Sequence, residues 1–245
     1  GLQDQIVAAE IPESAKFDYM VVDEGQDFEQ EWYDILQLFL KEDASVLWLE
    51  DPLQNLTMKP GVEMDGFVTY KEFANYRTPR LIADFIKDSL DVEFDNKNPL
   101  PGLGVDVHLY KNDDEQKRIV AHCVNELIRE GFSRDQIVVV SCKGLKTNSF
   151  RDCDHIGALK LRRFTGSYDQ DGQQIYTNGD VNFDTIFRFK GQQVPVVIVV
   201  DIDDSLRNDD RVRNILYCAM TRATVQLELL VKEESHWAGV LQAAL

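Results

Sequence analysis

Apolar runs of strand length alternate with longer segments of helical periodicity along most of this chain. The runs at 18–22 and 137–141 are mainly apolar and have the length of buried strands. Between about 29 and 40, apolar side chains recur at the spacing of one helical face, at Trp32, Ile35, Leu36 and Phe39. Alternating strand and helix patterns are typical of an α/β protein built on a parallel sheet.

The same patterns predict the other elements of the chain. We predict strands at 18–22, 45–51, 66–73, 105–110, 137–141, 196–201 and 225–231, with a further β-prone run at 183–189, where we expect buried strand residues at Phe187 and Phe189. We predict helices at 29–40, 80–90, 114–131 and about 208–221, the second with Thr78 as its N-cap and Pro79 as its first residue.

Residues 143–182 have a different character, because they are polar and rich in glycine. Within them, the sequence SYDQDGQQIYT at 167–177 places an Asp-Gly pair between two short β-prone runs. That arrangement predicts a β-hairpin.

Composition narrows the classes of function. The formal net charge of −17 excludes a protein that binds nucleic acid by bulk electrostatics, although it leaves room for a local basic groove. No apolar run approaches the length that spans a bilayer, so we expect no membrane partner. The four cysteines are scattered without a paired motif, which favours a reducing, cytoplasmic location.

An acidic pair, Asp23 and Glu24, directly follows the first strand run. Buried carboxylates are costly unless they are paired or bind a cation. The pair has two explanations: a magnesium and water site at the carboxyl edge of a parallel sheet, or an acidic surface turn. For the two residues alone, the surface turn is the commoner case.

Five short stretches carry a resemblance to a known family. They are VVDEGQD (21–27), WLEDPLQNL (48–56), FANYRTPR (73–80), TIFRFKGQQVPVVIV (185–199) and ILYCAMTRAT (215–224). In order and spacing they resemble the later motifs of superfamily 1 helicases of the UvrD/Rep type, which are motors on single-stranded DNA. The resemblance covers almost the whole chain, and its wording is most similar to the helicases that have an upstream nuclease-related domain.

The resemblance implies an α/β fold of two RecA-like domains, in which parallel sheets are flanked by helices and ATP binds between the domains. It implies that residues 1–66 form part of the first domain and 67–245 the complete second domain. The hairpin-containing insert at about 143–182 belongs to the second.

The resemblance also implies roles in ATP hydrolysis. Asp23 would hold Mg²⁺, Glu24 would orient and deprotonate the attacking water, and Gln54 would sense the γ-phosphate. Arg77 and Arg222 would stabilise charge on the transferred phosphoryl group.

Adenine and ribose contacts are implied in the same way. Tyr76 would stack on the adenine. Gly191 and Gln193 correspond to the family's KGLE, whose acid contacts the ribose. This chain departs from the family pattern at Gln193 and at Glu50, which replace Glu and Gly.

Single-stranded DNA, or RNA, is the implied track. Lys160, Arg162 and Arg163 form one compact basic cluster that is either a phosphate contact or a solvated face. Thr185 and Arg188, in the fourth of the stretches, are the further candidate contacts.

ATP hydrolysis also needs a phosphate cradle of the form GxxxxGK[ST], which does not occur in these 245 residues. We therefore expect the P-loop half upstream of Gly1 in the same protein, and an inactive fragment. Two classes remain open: part of a true motor, or a non-catalytic nucleotide-binding or protein-interaction module derived from a helicase. The joint presence of Asp23, Glu24, Gln54, Arg77 and Arg222 favours the motor.

Overall fold

The chain divides into two compact units, Gly1–Lys71 and Glu72–Leu245. A computed structural model describes residues 11–93, 95–205 and 209–245. No helix in these ranges is long and apolar enough to cross a membrane.

The described strands and helices have the following bounds. The strands are β1 Phe17–Val22, β2 Leu40–Trp48, β3 Ala74–Asn75, β4 Asp95–Asn96, β5 Gly104–Tyr110, β6 Ile137–Ser141, β7 His155–Ile156, β8 Leu159–Tyr168, β9 Gln174–Tyr176, β10 Val181–Thr185, β11 Val194–Ile202 and β12 Ala223–Lys232. The α-helices are α1 Gln30–Gln37, α2 Arg80–Leu90, α3 Asp113–Arg129, α4 Ile186–Phe189, α5 Asp209–Met220 and α6 His236–Ala243. Residue 208 of the predicted helix at 208–221 lies outside the described residues.

The first unit is a β-α-β arrangement in which β1 and β2 pair in parallel and α1 lies between them in sequence. The buried aromatic of α1 is Tyr33, whereas Trp32 on the predicted face is 42% exposed. The Tyr33 ring packs edge-on against Trp48 at the end of β2, with ring centroids 5.5 Å apart. This contact fixes the helix beside the end of the sheet.

The predicted strand at 66–73 is wrong. No strand lies there, and the side chains of Val68 and Tyr70 are 96% and 83% exposed. Gly66 takes a left-handed φ of 81° at the start of the segment. Alternation of apolar and polar residues indicates a preference for extended backbone, but a β-strand also needs a neighbouring strand to pair with.

The second unit is built on a mostly parallel sheet. The order of its main strands is β5-β12-β11-β6-β10-β8, and every neighbouring pair among these six is parallel. The predicted strands at 105–110, 137–141 and 196–201 are confirmed. β11 is deeply buried, with Val196–Val200 fully enclosed, as expected for a central parallel strand, and its neighbour β6 is buried along its whole length.

Helices flank this sheet as in RecA-like domains. α3 packs Val120, Val124 and Leu127 into the core cluster that covers one region of the sheet. α2 contacts α5 and α6, while α5 contacts β11 and α6 contacts β12. The predicted α/β class with a parallel sheet is confirmed.

Two local predictions around α2 and α4 are corrected. Thr78 is not the N-cap of α2, because Pro79 occupies that position, and the buried Thr78 hydroxyl makes no hydrogen bond within the described residues. Phe187 and Phe189 lie in the short helix α4 rather than in a strand. β10 ends at Thr185, and a run of four residues is too short for its periodicity to be read from sequence.

The predicted hairpin is confirmed, since β8 and β9 pair antiparallel with Tyr168 opposite Gln174. β7 also pairs antiparallel with β8. The hairpin therefore extends from the last parallel strand of the sheet.

Candidate functional site

The acidic pair of the first unit lies where β1 ends. Val22 is buried, Asp23 is exposed, and Glu24 takes a left-handed backbone conformation with φ 55° and ψ 40°. The backbone N–H of Glu24 donates to Oδ1 of Asp23 at 2.9 Å. The turn thus places two carboxylates at the carboxyl end of a parallel strand.

A hydrogen-bonded series joins Glu24 to Gln54. Nε2 of Gln26 donates to Oε2 of Glu24 at 2.6 Å, and Oε1 of Gln26 accepts from the backbone N–H of Asp51 at 3.0 Å. Oδ2 of Asp51 in turn accepts from Nε2 of Gln54 at 2.8 Å. The structure therefore brings two predicted site residues into one polar network.

Gln26 and Asp51 are functional candidates that the sequence interpretation missed. Gln26 is 4% exposed, and a buried amide needs its hydrogen bonds satisfied. The available signal was a polar residue two positions after the acidic pair, but its partner lies 25 residues away. Only the tertiary fold identifies that partner.

Gly25 allows the acidic turn to lie against Trp48. A Cβ added at Gly25 would stand 2.2 Å from Nε1 of Trp48, which is far inside van der Waals contact. The indole N–H donates to Glu50 at 3.0 Å, and the backbone N–H of Gly25 donates to Leu49 O at 2.8 Å. Close packing of the indole therefore requires glycine at this position.

Three predicted residues of the second unit gather at the amino edge of its sheet. Gln193 directly precedes β11 and Arg222 directly precedes β12, and Val194 pairs with Ala223. In the amide orientation that matches donors with acceptors, the oxygen of Gln193 accepts from Nε and Nη1 of Arg77 at 2.6 and 3.2 Å. The fork of Arg77 is thus held by the residue that replaces the family's Glu.

Asn75 positions the backbone around Arg77. Its Oδ1 accepts from the N–H groups of Arg77 and Thr78 at 2.9 and 2.8 Å. Tyr76 lies between Asn75 and Arg77 in sequence, and its side chain is 74% exposed. Gly191, before β11, has a left-handed φ of 81° that favours glycine in this turn.

Arg222 is buried, with 2% of its surface exposed. Its Nε donates to Cys218 O at 2.9 Å and its Nη2 donates to Oγ1 of Thr221 at 3.0 Å. Cys218 lies in the last turn of α5, and Thr221 follows that helix directly. These two bonds therefore hold part of the guanidinium group at the helix–strand connection.

The predicted basic cluster is not compact, and this is a correction. Successive residues of a strand point to opposite faces, so Arg163 cannot share a face with Arg162. Arg163 donates to Cys153 O and Arg151 O at 2.6 and 2.8 Å, whereas Lys160 and Arg162 are exposed.

Arg162 and Arg188 each lie over an aromatic ring of the hairpin. Arg162 stacks over Tyr176 at 4.3 Å, and Arg188 over Phe164 at 3.6 Å. Arg188 also pairs with Asp184 at 3.0 Å, so its charge already has a carboxylate partner. Burial raises the pKa of Asp184 above its ordinary value, although Arg188 opposes that shift.

The carboxyl edge of the same sheet carries a second polar network that was not predicted. Asp201, 1% exposed and left-handed with φ 64°, accepts from Oγ of Ser141 at 2.6 Å and Oγ of Ser149 at 2.5 Å. Gln116 donates to the carboxylate of Asp201 at 3.2 Å and accepts from the backbone N–H of Asp201 at 2.7 Å.

Thr185, the predicted nucleic-acid contact at the end of β10, is 1% exposed.

Comparison with known proteins identifies a family for one segment. Residues 180–230 match the UvrD-like helicase C-terminal domain family. That segment runs from β10 to most of β12 and contains five of the predicted site residues, which are Thr185, Arg188, Gly191, Gln193 and Arg222. The resemblance to UvrD-type helicases is confirmed over this segment. No curated protein sequence matches the chain.

Two helicase structures are similar to this chain. The C-terminal domain of a possible DNA helicase from Lactobacillus plantarum WCFS1 has a TM-score of 0.50 and 20% identity, and the alignment covers 69% of this chain and 96% of that one. The Arterivirus helicase, nonstructural protein 10, has a TM-score of 0.45 and 16% identity, with 91% of this chain and 41% of that one covered. The first similarity concerns the fold. The family match and this fold together identify a helicase-derived domain.

Proposed function

We propose that this chain is the carboxyl-terminal portion of an ATP-dependent helicase or translocase that moves on single-stranded nucleic acid, with DNA as the favoured track. The observation that carries the proposal is the grouping of Arg77, Gln193 and Arg222 at one edge of the sheet. Two of these three lie in the segment that matches the helicase family. Arginines at phosphates stabilise charge on a transferred phosphoryl group.

The acidic turn fits a magnesium and water site. Asp23 offers an exposed carboxylate, the hard oxygen ligand that Mg²⁺ prefers. A carboxylate oxygen of Glu24 would accept a proton from water while Gln26 holds the other end of the group in place. Bound ATP with Mg²⁺ would supply the phosphoanhydride whose hydrolysis drives movement.

The network from Glu24 to Gln54 would connect the water site to the γ-phosphate sensor. Each link is a hydrogen bond of 2.6 to 3.0 Å. Movement of one side-chain amide would therefore shift the group to which it is hydrogen-bonded. Arg77 and Arg222 would stabilise negative charge on the phosphates, and Tyr76 would stack on the adenine. The phosphate loop would come from an upstream part of the same protein.

A non-catalytic module derived from a helicase is the second candidate. Two observations favour it: the absence of a GxxxxGK[ST] sequence in these 245 residues, and Gln193 in place of an acid beside Arg77. Such a module would bind a nucleotide or a protein without turnover.

Steady-state ATP hydrolysis by the longest natural polypeptide that contains this chain, with and without single-stranded DNA, separates the two candidates. We expect DNA-stimulated turnover that falls by about 100-fold or more in Glu24→Gln. Arg77→Ala should lower kcat by about 10- to 1,000-fold. Arg80→Ala is the matched control, because Arg80 is exposed at the start of α2. Absence of turnover with either DNA or RNA would support the non-catalytic module.

A further inference from the structure

A histidine, a cysteine and a glutamate from three elements meet at the edge of the second unit's sheet. His108 belongs to the edge strand β5, Cys123 to α3 and Glu228 to β12. Their ligand atoms all lie within 4.8 Å of one another. Nε2 of His108 is 2.6 Å from Oε2 of Glu228 and 3.6 Å from Sγ of Cys123. Among the described residues, no other three such side chains come this close.

The group is unusual for its position in the core. The side chains of residues 226, 228 and 230 lie on the same face of β12, because side chains alternate between the two faces of a strand. Leu230 belongs to the hydrophobic cluster beneath α3. An apolar side chain is the ordinary occupant of such a position, yet Glu228 is 5% exposed there. A buried carboxylate is retained at this cost when it is paired or binds a cation.

The surroundings of Glu228 are polar as well. Nε2 of Gln226 donates to Oε1 of Glu228 at 2.7 Å. Gln226 is 8% exposed, and its Oε1 has no hydrogen-bond partner in the part of the chain that the structure describes. The second oxygen of Glu228 faces His108. This pocket therefore has more oxygen acceptors than its own donors satisfy.

We propose that His108, Cys123 and Glu228 bind a transition-metal ion of the zinc class. Imidazole nitrogen, thiolate sulfur and carboxylate oxygen are the ligands that zinc takes in proteins, and a thiolate disfavours Mg²⁺ and Ca²⁺. This site is separate from the magnesium site at Asp23 and does not depend on the proposed function.

The ligand atoms, all within 4.8 Å of one another, approach the spacing that a bound ion needs. Ligand atoms bound at about 2.0 to 2.3 Å in tetrahedral geometry lie about 3.3 to 3.8 Å apart. The 3.6 Å between Sγ of Cys123 and Nε2 of His108 meets this spacing. The 2.6 Å between Nε2 of His108 and Oε2 of Glu228 must lengthen by about 0.7 Å to meet it. Three protein ligands leave the fourth position to water, which reaches the ion past the 31% exposed side chain of His108.

Binding balances charge in the pocket. As the metal binds, the Cys123 thiol releases one proton to solvent, and the His108 imidazolium that pairs with Glu228 releases a second. His108 then coordinates as neutral imidazole. The dication then faces two anionic ligands, so the bound site is neutral overall. It would join the edge strand β5 to β12 and α3. The alternative is a hydrogen-bonded triad that joins the same elements without an ion.

Cobalt spectroscopy on the chelator-treated chain, kept reduced with a phosphine, distinguishes these two cases. We expect one equivalent of Co²⁺ to bind with thiolate-to-cobalt charge-transfer absorption, and Zn²⁺ to displace it. Cys123→Ser should abolish the charge-transfer band, and His108→Gln should weaken binding by at least about tenfold. Cys153→Ser is the matched control, because Cys153 is a partly exposed thiol that does not belong to the group of three ligands.

Failure of the wild type to bind Co²⁺ or Zn²⁺ would overturn the proposal, and so would a band that survives Cys123→Ser or disappears in Cys153→Ser. Thermal melting curves show whether each variant is folded. Zn²⁺ should raise the Tm of the wild type and of Cys153→Ser. It should leave the Tm of His108→Gln and Glu228→Gln unchanged, and equal increases in all four proteins would contradict the site.

Discussion

Glu24 takes a left-handed backbone conformation, which a glycine would adopt at less cost. The neighbouring Gly25 does not take that conformation. The conformation costs about 1–2 kcal/mol for a residue with a side chain. Gly25 is needed for a different reason, since the Trp48 indole occupies the space of its missing side chain. The acidic turn therefore depends on a strained residue and a close backbone approach, side by side.

Gly25→Ala should consequently destabilise the first unit. The new methyl group must displace the Trp48 ring, and overpacking of this kind costs about 1–3 kcal/mol. Urea unfolding followed by tryptophan fluorescence measures the loss. Gly61→Ala is the control, because a Cβ added at Gly61 meets no atom within 4 Å. Equal stability of the two variants would show that Trp48 does not pack on Gly25.

Asp203 provides a pH-dependent contribution to stability. Burial acts to raise its pKa, but hydrogen bonds from Lys143, at 2.7 Å, and from Ser205 outweigh burial and lower it below the ordinary value of 3.8. A lowered pKa stabilises the fold above the unfolded-state value, and that stabilisation is lost as pH falls through the folded-state pKa.

Asp203→Asn should therefore lower the urea midpoint most at pH 7, and the difference from wild type should shrink as pH falls below about 4. Asp171→Asn, at the exposed tip of the hairpin, is the control and should change the midpoint little at any pH. A constant difference across this pH range would exclude the ionised Asp203 as its source.

At the scale of elements, strand alternation decides what the residues of β8 do. Lys160 and Arg162 lie on its solvated side, and Arg163 turns inward to two backbone carbonyls and the Phe183 ring, 5.3 Å away. We expect Arg163→Ala to destabilise the second unit by about 1–2 kcal/mol, through lost charge-assisted hydrogen bonds and the ring contact.

Lys160 lies only three residues before Arg163 but on the opposite, solvated face of β8. Lys160→Ala should therefore be nearly neutral for stability. Thermal melting of the two variants tests the assignment. Equal effects would mean that Arg163 is an ordinary surface residue.

The central strands of the second unit could be predicted because their apolar runs are long and need no partner to be recognised. The wrong strand prediction has a different basis, because a strand depends on tertiary pairing. Residues 66–73 have the alternation of a strand but no strand forms there. Residue types and motif order are enough to name candidate site residues, whereas the contacts of Gln26 with Asp51 and of Arg77 with Gln193 join segments far apart in sequence.

For the whole molecule, the net charge of −17 opposes binding of a polyanion. Any contact with single strands must therefore come from local exposed cations, and the structure reduces the predicted set to Lys160 and Arg162. Arg163 turns inward to two backbone carbonyls, and Arg188 is paired with a carboxylate. Arg162 contacts the Tyr176 ring and donates to Asn182, but it stays exposed and has no carboxylate partner among the described residues.

We expect the double variant Lys160→Ala with Arg162→Ala to lower the slope of log affinity against log salt by about 1.4, which corresponds to two phosphate contacts on a single strand. The measurement is a salt titration of single-stranded DNA binding by the intact protein. Lys146→Ala with Lys190→Ala is a control of equal charge. An equal change in slope for both pairs would indicate general electrostatics rather than contact at β8.

The buried carboxylate of Asp201 also affects folding kinetics. Its partners Ser141, Ser149 and Gln116 lie 60, 52 and 85 residues away, so the network is complete only after long loops have closed. We expect these bonds to form after the folding transition state. Asp201→Asn should then accelerate unfolding while leaving refolding almost unchanged, with a φ-value near zero in a chevron analysis. A φ-value near one would place the network in the folding nucleus. With φ near zero, this single side chain governs how long the folded second unit persists rather than how quickly it forms.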